Sequence, residues 1–227
     1  MKVRDAGAVS EAVGETRDDW RVRVKYAADR VAGVALLGAL APVFSGIALA
    51  IVLEDGRPVL FVQERPGLGG KPFGCFKFRT MLVDADRYLD ADGRPTRPRV
   101  TKVGRFLRKT SLDELAQLLN IARGDMSLIG PRPPLMVHLQ RYTDEQMRRF
   151  RMKPGVTGLA QVNGRNTLKW SRRLAYDNDY IDSYSLRADV RILLRTVGVV
   201  LRREGVVLDR NPGDVDDLAP VGAWEGA

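Results

Sequence analysis

The sequence predicts a mainly helical fold with one small β-hairpin, an α+β chain attached to a membrane near its N-terminal end. Three observations lead there. Val31 to Leu53 contains no charged residue, two short apolar-rich segments flank a glycine cluster, and helix signals recur between Gly104 and Arg203. A chain of 227 residues with 44% hydrophobic content suits one domain with an appendage. The 37 Lys and Arg against 28 Asp and Glu, a formal charge of +9, imply an anionic partner: nucleic acid, an anionic membrane surface or phosphorylated substrates. A single cysteine, Cys75, excludes an intramolecular disulfide, and its setting in Phe73-Gly74-Cys75-Phe76 reads as a packed core thiol. The only histidine, His138, offers no metal cluster and receives no role.

Residues 1–20 are polar, mixed in charge and contain Gly7 and Gly14, which reads as a mobile tail. The apolar run of 23 residues is about 34 Å long as a continuous helix, enough to cross a hydrocarbon core of about 30 Å. Two features favour a different arrangement for residues 21–53. Pro42 removes a backbone hydrogen bond in mid-run. Both flanks are basic, with Arg21, Arg23, Lys25 and Arg30 before and Arg57, Arg65, Lys71, Lys77 and Arg79 after. The positive-inside tendency then holds both ends on one side. A re-entrant helix-break-helix satisfies this, with arms of about 17 Å; a proline-kinked spanning helix stays open. A signal peptide ending near Ala48-Leu49-Ala50 is disfavoured by the 30-residue lead-in. The Ser45 hydroxyl is within reach of carbonyls freed at the break.

Segments 57–63 and 73–79 read as two strands, with Pro66-Gly67-Leu68-Gly69-Gly70 as their turn. No P-loop spacing is present. Residues 84–100 form a long polar loop suited to covering a site; their aspartates lack the glycine and terminal glutamate of an EF-hand loop. A basic helix or turn begins at Gly104. Ser111 followed by Glu114 is a capping-box spacing, which predicts an N-cap at Ser111 and a helix over 113–122, with Gly124 beyond its end. The helix dipole and neighbouring cations would keep Asp113 ionised. Such a carboxylate suits attack on phosphorus or a hard cation; the plain alternative is a well-capped helix.

Gly130-Pro131-Arg132-Pro133-Pro134 is a rigid turn that presents Arg132 to a phosphate at reduced entropic cost, or leaves it as a surface arginine. After the loop Lys153–Gly158, the stretch Gln161 to Asn166 has Asn, Gly and Arg residues suited to a phosphate, a base or a hydrogen-bonded turn. Ala188 to Arg203 carries Ile192, Leu193, Val197, Val200 and Leu201 on one side and Arg191, Arg195 and Arg202 on another. That is the pattern of an interfacial amphipathic helix, and equally of one packed on a core. Residues 208–227 read as a disordered tail.

Four ordered segments resemble the bacterial sugar transferases that are monotopic phosphoglycosyl transferases: Lys77–Met81, Thr101–Leu115, Gly124–Pro133 and Lys153–Arg165, with Tyr176-Asp177 further on. With the apolar segment they cover roughly residues 25–205, in the small catalytic-domain form. The resemblance implies transfer of a sugar 1-phosphate from a UDP-sugar to undecaprenyl phosphate. It implies Asp113 as nucleophile, Glu114 as a ligand or orienter of a catalytic Mg²⁺, and a re-entrant membrane helix over 31–53. Residues 54–207 then form a cytoplasmic catalytic domain on one leaflet of the bacterial inner membrane. Two positions depart from the family pattern: Ala41 stands before Pro42 where serine is frequent, and Ala116 follows Leu115 where proline is frequent.

The chemistry implied by the resemblance asks for charge neutralisation, because both substrates are polyanions. Mg²⁺ on Glu114 with Lys77, Arg108 and Arg132 would supply it, while Asn163, Arg165 and Asp177 are expected to contact nucleotide or sugar. Two other classes remain. A glycosyltransferase would release UDP rather than UMP. A membrane-tethered nucleic-acid binder is disfavoured because aromatics are not interleaved with the basic residues, so nucleic acid is not an expected partner. The oligomeric state stays open, a homodimer included.

Overall fold

The structure is a computed structural model describing residues 6–90, 96–164, 167–202 and 216–218. Helix α1 (Ala6–Val13) lies where a mobile tail was expected. Its Val9 and Val13 are buried among Leu139, Tyr142, Met147, Phe150 and Leu174. The segment is polar over most of its two turns, but the apolar i, i+4 pair Val9 and Val13 is all a short helix needs once tertiary packing supplies its stability.

Helices α2 (Trp20–Ala39) and α3 (Ala41–Asp55) meet at Leu40 with a bend of 63°. Among the described residues no single helix is long and apolar enough to cross a membrane, and this bent pair is compatible with a re-entrant element. Asp19 caps α2, accepting from the Arg21 and Val22 amides. Pro42 sits in the first turn of α3, where its missing N–H costs nothing. The break is spanned by backbone bonds from Leu40 N–H to Leu36 and from Phe44 N–H to Leu40. Ser45 is exposed, and its hydroxyl has no hydrogen bond among the described residues.

One side of the bent pair is seated on the domain. Gly33 packs so closely on Ile121 that a Cβ there would come within 2.8 Å of it. Leu37, Leu40 and Phe44 cover Cys75, Leu118, Ile121 and Met126. Cys75 is buried, as expected of a core thiol. The opposite side, including Val31, Val34, Leu49 and Leu53, is exposed.

Strands β1 (Leu60–Pro66) and β2 (Pro72–Phe78) form the antiparallel hairpin, with Phe61 opposite Lys77 and Gln63 opposite Cys75. Described parts of the polar loop are tied down: Met81 bridges Val100, and Arg99 pairs with Asp86 at 3.0 Å. Helix α4 (Lys102–Thr110) starts on Thr101, whose hydroxyl accepts from the Gly104 amide. A 3-10 turn (Leu112–Gln117) and helix α5 (Leu118–Arg123) follow, where the sequence predicts one α-helix over 113–122. Gly124, at φ 92°, terminates α5 as expected.

A parallel pair absent from the sequence reading joins β3 (Ser127–Ile129) to β4 (Gly155–Thr157). Short helices α6 (Asp144–Met147) and α7 (Leu159–Val162) precede the long α8 (Trp170–Asp182) and α9 (Leu186–Leu201). Lys25 on α2 lies buried between Asp29, at 3.1 Å, and Asp189 of α9, at 2.8 Å, and Tyr180 donates to Asp189 at 2.7 Å. This satisfied network fastens the first arm of the bent pair to α8 and α9. On α9, Ile192 faces the core while Leu186, Val190, Leu193, Leu194 and Val197 form the exposed apolar stripe. Ile192 therefore leaves the face on which the sequence reading placed it. Of the predicted C-terminal tail, residues 216–218 contact the body, Asp216 pairing with Arg141 at 2.7 Å. Residues 208–215 and 219–227 lie outside the described residues.

Candidate active site

β2, α4, the 3-10 turn and the proline-bounded turn bring their charged residues to one cleft of about 750 Å³. Ser111 makes this convergence. It adopts φ 58°, ψ 18°, a left-handed conformation, and its N–H closes α4 on the Leu107 and Arg108 carbonyls. It is thus the C-terminal corner of one helix and makes no side-chain cap on the next. The predicted capping box does not form. The Glu114 carboxylate has stronger partners: Lys77 Nζ at 3.0 Å from Oε1, Arg132 Nη1 at 3.0 Å from Oε2, and Arg132 Nη2 on Oε1. A charge-assisted pair of bonds outcompetes a neutral backbone amide.

Asp113, one residue earlier, lines the same cleft, and its carboxylate has no hydrogen bond or ion pair among the described residues. Burial pushes its carboxyl above the usual value and the Glu114 charge adds to that, against the pull of Lys77, Arg108 and Arg132. The sequence reading expected only the stabilising influences. Burial also opposes ionisation of Glu114, but the charges and hydrogen bonds of Arg132 and Lys77 hold its carboxyl well below the carboxylate range.

Arg132 is placed by backbone. Gly130 N–H donates to Thr157 and Gly155 N–H to Pro131, each at 2.9 Å. A Cβ on Gly130 would come within 2.4 Å of the Lys153 carbonyl oxygen, so the close approach of the two loops requires glycine there. Arg108 lines the cleft and donates from Nε to Thr80 Oγ1 at 2.9 Å. Asp177 lines it too, paired through Oδ2 with Arg149 Nη2 at 2.6 Å. Its burial pushes the carboxyl up to about 6, against the lowering effect of Arg149 and Arg173.

Two predicted contacts do not join this group. Asn163 is directed elsewhere, donating to the Leu159 carbonyl at 2.7 Å and accepting from Arg195 at 3.0 Å. That bond holds α7 to α9, and Asn163 is not among the cleft residues. Arg165 lies outside the described residues.

Sequence reasoning missed several residues of the cleft. Arg149 is buried, donates to the Arg132 carbonyl at 2.6 Å and to the Tyr142 hydroxyl at 3.2 Å, and so links Asp177 to the turn that carries Arg132. Within Arg148-Arg149 nothing distinguishes it from a solvated arginine. His138, given no role, lines the cleft with its ring 4.8 Å from that of Trp170. Gln161 is buried there with neither amide atom hydrogen-bonded among the described residues, and Asp177 Oδ1, Arg149 Nε and His138 Nδ1 share that condition. Buried polar atoms of native proteins nearly always have partners, so this part of the cleft presents polar groups that a ligand or ordered water would satisfy.

The arrangement offers a carboxylate with no partner among the described residues beside a fixed Glu–Arg–Lys cluster, which suits attack on a phosphoryl group. Comparison with known proteins identifies the family. The bacterial sugar transferase family model matches residues 20–203. The chain is 46% identical over 173 residues to the uncharacterized sugar transferase EpsL of Bacillus subtilis, covering 76% of this chain and 85% of that protein. It is 46% identical over 185 residues to the UDP-glucose:undecaprenyl-phosphate glucose-1-phosphate transferase of Caulobacter vibrioides, covering 78% and 69%. With the Escherichia coli protein of that same name it shares 42% identity over 182 residues, but spans only 39% of that longer relative. The chain belongs to the bacterial sugar transferase family and is a phosphoglycosyl transferase.

Proposed function

We propose that this chain moves a sugar 1-phosphate from a UDP-sugar to undecaprenyl phosphate through a covalent intermediate on Asp113. The observation that carries the reading is Asp113 itself, a cleft carboxylate without an ion-pair partner among the described residues, beside a glutamate already held by Arg132 and Lys77. An Asp113 oxygen attacks the β-phosphorus of the donor. The bond from that phosphorus to the oxygen bridging to the α-phosphate breaks, and UMP leaves with that oxygen. An oxygen of the lipid phosphate then attacks the same phosphorus, regenerating the Asp113 carboxylate and forming a polyprenyl diphosphosugar. Lys77, Arg108 and Arg132 offset the charge that both steps concentrate at the reacting phosphorus.

The cofactor reading is Mg²⁺. Among the described residues no three His, Cys, Asp or Glu side chains converge, so the donor set fits an ion held by one or two carboxylates and substrate phosphates. Glu114 would be the protein donor beside Asp113, yielding an oxygen that Arg132 or Lys77 now holds. When bound, the ion would neutralise diphosphate charge.

The bent helix pair, its basic flanks and the exposed stripe on α9 support the proposed place of action, one leaflet of the bacterial inner membrane on the cytoplasmic side. Related proteins named for UDP-glucose and for undecaprenyl-phosphate galactose transfer support the substrate classes. The deciding experiment measures the nucleotide released from a panel of UDP-sugars by wild type and Asp113→Asn. UMP from wild type and at least a roughly thousandfold loss in the variant are expected. UDP release would mean sugar transfer without phosphate, and full activity in the variant would remove Asp113 from the nucleophile role.

A further inference from the structure

The cleft differs in character from end to end, and strand β1 shows how. Its cleft-lining residues run from Leu60 and Phe61 through Gln63 to Arg65, apolar to polar to charged, with Arg65 donating to the Pro133 carbonyl at 3.2 Å. At the charged end lie the buried atoms of Gln161, Asp177 and His138 that have no hydrogen-bond partner among the described residues. An isoprenoid chain there would leave all of them desolvated without hydrogen bonds, a costly arrangement.

The Phe61 end adjoins the emerging end of the bent helix pair. The Asp55 carboxylate, on the last turn of α3, takes Arg79 at 2.6 Å and the Val83 amide at 3.0 Å. Phe61 is 49% exposed and Val83 52% exposed, and both line the cleft. The outward face of α3 carries exposed Leu49 and Leu53. Exposed apolar side chains thus lie both on the α3 face and at this end of the cleft, the two joined through the Asp55 bond to Val83. Across the hairpin, Phe61 stands opposite Lys77, whose ammonium touches Glu114. Cross-strand partners share a face, so this apolar lip abuts the cation cluster directly.

We propose that Phe61 and Val83 form the lip that seats the first isoprene units of the polyprenyl phosphate acceptor, with its phosphate reaching Lys77 and Arg132. This rests on the transferase reading above. The lipid then enters from the α3 side while the nucleotide sugar occupies the polar end, so two poorly miscible substrates reach one phosphorus from opposite directions.

The test separates the half-reactions in the full chain reconstituted in nanodiscs. Step one is the UMP burst from a UDP-sugar without acceptor; step two is the KM for undecaprenyl phosphate. Phe61→Asn and Val83→Asn should each raise that KM about tenfold by removing apolar contact. The UMP burst should be unchanged, which also reports intact folding. Phe61→Leu, which keeps an apolar lip, should stay within about twofold of wild type. Val62→Asn, at an equally exposed position on the other face of β1, should leave the KM unaltered. An unchanged lipid KM in the lip variants, a burst that falls with them, or an equal effect from Val62→Asn overturns the assignment. A wild type that gives no UMP burst overturns the transferase reading itself, and the lip assignment with it.

Discussion

Arg132 grips both oxygens of Glu114, with Nη1 at 3.0 Å from Oε2 and Nη2 on Oε1, and leaves the neighbouring Asp113 outside the clasp. Two adjacent carboxylates thereby acquire different work: one is an anchored anion, the other a cleft carboxylate with a raised pKa. The clasp depends on the guanidinium plane. Arg132→Lys keeps the charge but replaces a planar fork by a point charge. Turnover should fall by about 10- to 100-fold, whereas the melting temperature should move little because the Arg132 side chain is 44% exposed. Steady-state kinetics and a thermal melt on the same preparation check this, and an equal loss of stability would recast Arg132 as a structural residue.

The pH profile follows from Asp113. Its carboxyl lies above the ordinary aspartate value of 3.8, and the proposed role as nucleophile requires the ionised form, so on that proposal the donor kcat/KM rises with pH through the raised value and then levels. The acid limb therefore sits above the ordinary aspartate range. Arg108 lowers the Asp113 pKa, so Arg108→Gln should move the limb to higher pH as well as reduce the plateau. A limb that moves to lower pH in that variant contradicts the electrostatics described above.

Glu54 couples the bent helix pair to the elements that line the cleft. Its two oxygens accept from the Lys102 amide at 2.6 Å and the Val103 amide at 2.8 Å, at the start of the helix that carries Arg108 and ends at Ser111. Glu54→Ala removes these acceptors and should cost about 1 kcal/mol of stability, in the range of lost helix caps. Activity should fall more than that loss of folded protein explains, because the Ser111 corner shifts. Parallel melts and turnover measurements distinguish the two contributions.

Helix α1 is part of the folded body. Val13 is fully buried against the Tyr142 and Phe150 region, so Val13→Ala should destabilise by about 1 to 3 kcal/mol through lost burial and the cavity left behind. Denaturant unfolding in detergent measures it. Full stability after deletion of residues 1–13 would return this segment to the status of a tail.

Much of the site was legible because its motifs combine local chemistry with a rigid setting. Lys77, Arg108, Asp113, Glu114, Arg132 and Asp177 all line the cleft, as expected from their segments. Asn163 is turned away from the cleft, because a polar residue in a loop has no preferred direction in sequence and packing of α7 on α9 directs it toward Arg195. Arg149 was invisible for the converse reason. A buried arginine and a solvated one are written alike until a partner such as Asp177 is placed opposite.

By itself the sequence determined what depends on neighbours along the chain: an uncharged apolar run interrupted at Pro42, a hairpin around a glycine turn, and a proline-bounded Arg132. Tertiary structure decided what depends on competition between distant groups. Ser111 and Glu114 have the spacing of a capping box, yet Glu114 spends its carboxylate on Arg132 and Lys77, and Ser111 becomes a left-handed corner. Spacing defines which local hydrogen bonds are available, but a charged partner 18 residues away offers a stronger one, and the chain bends to take it.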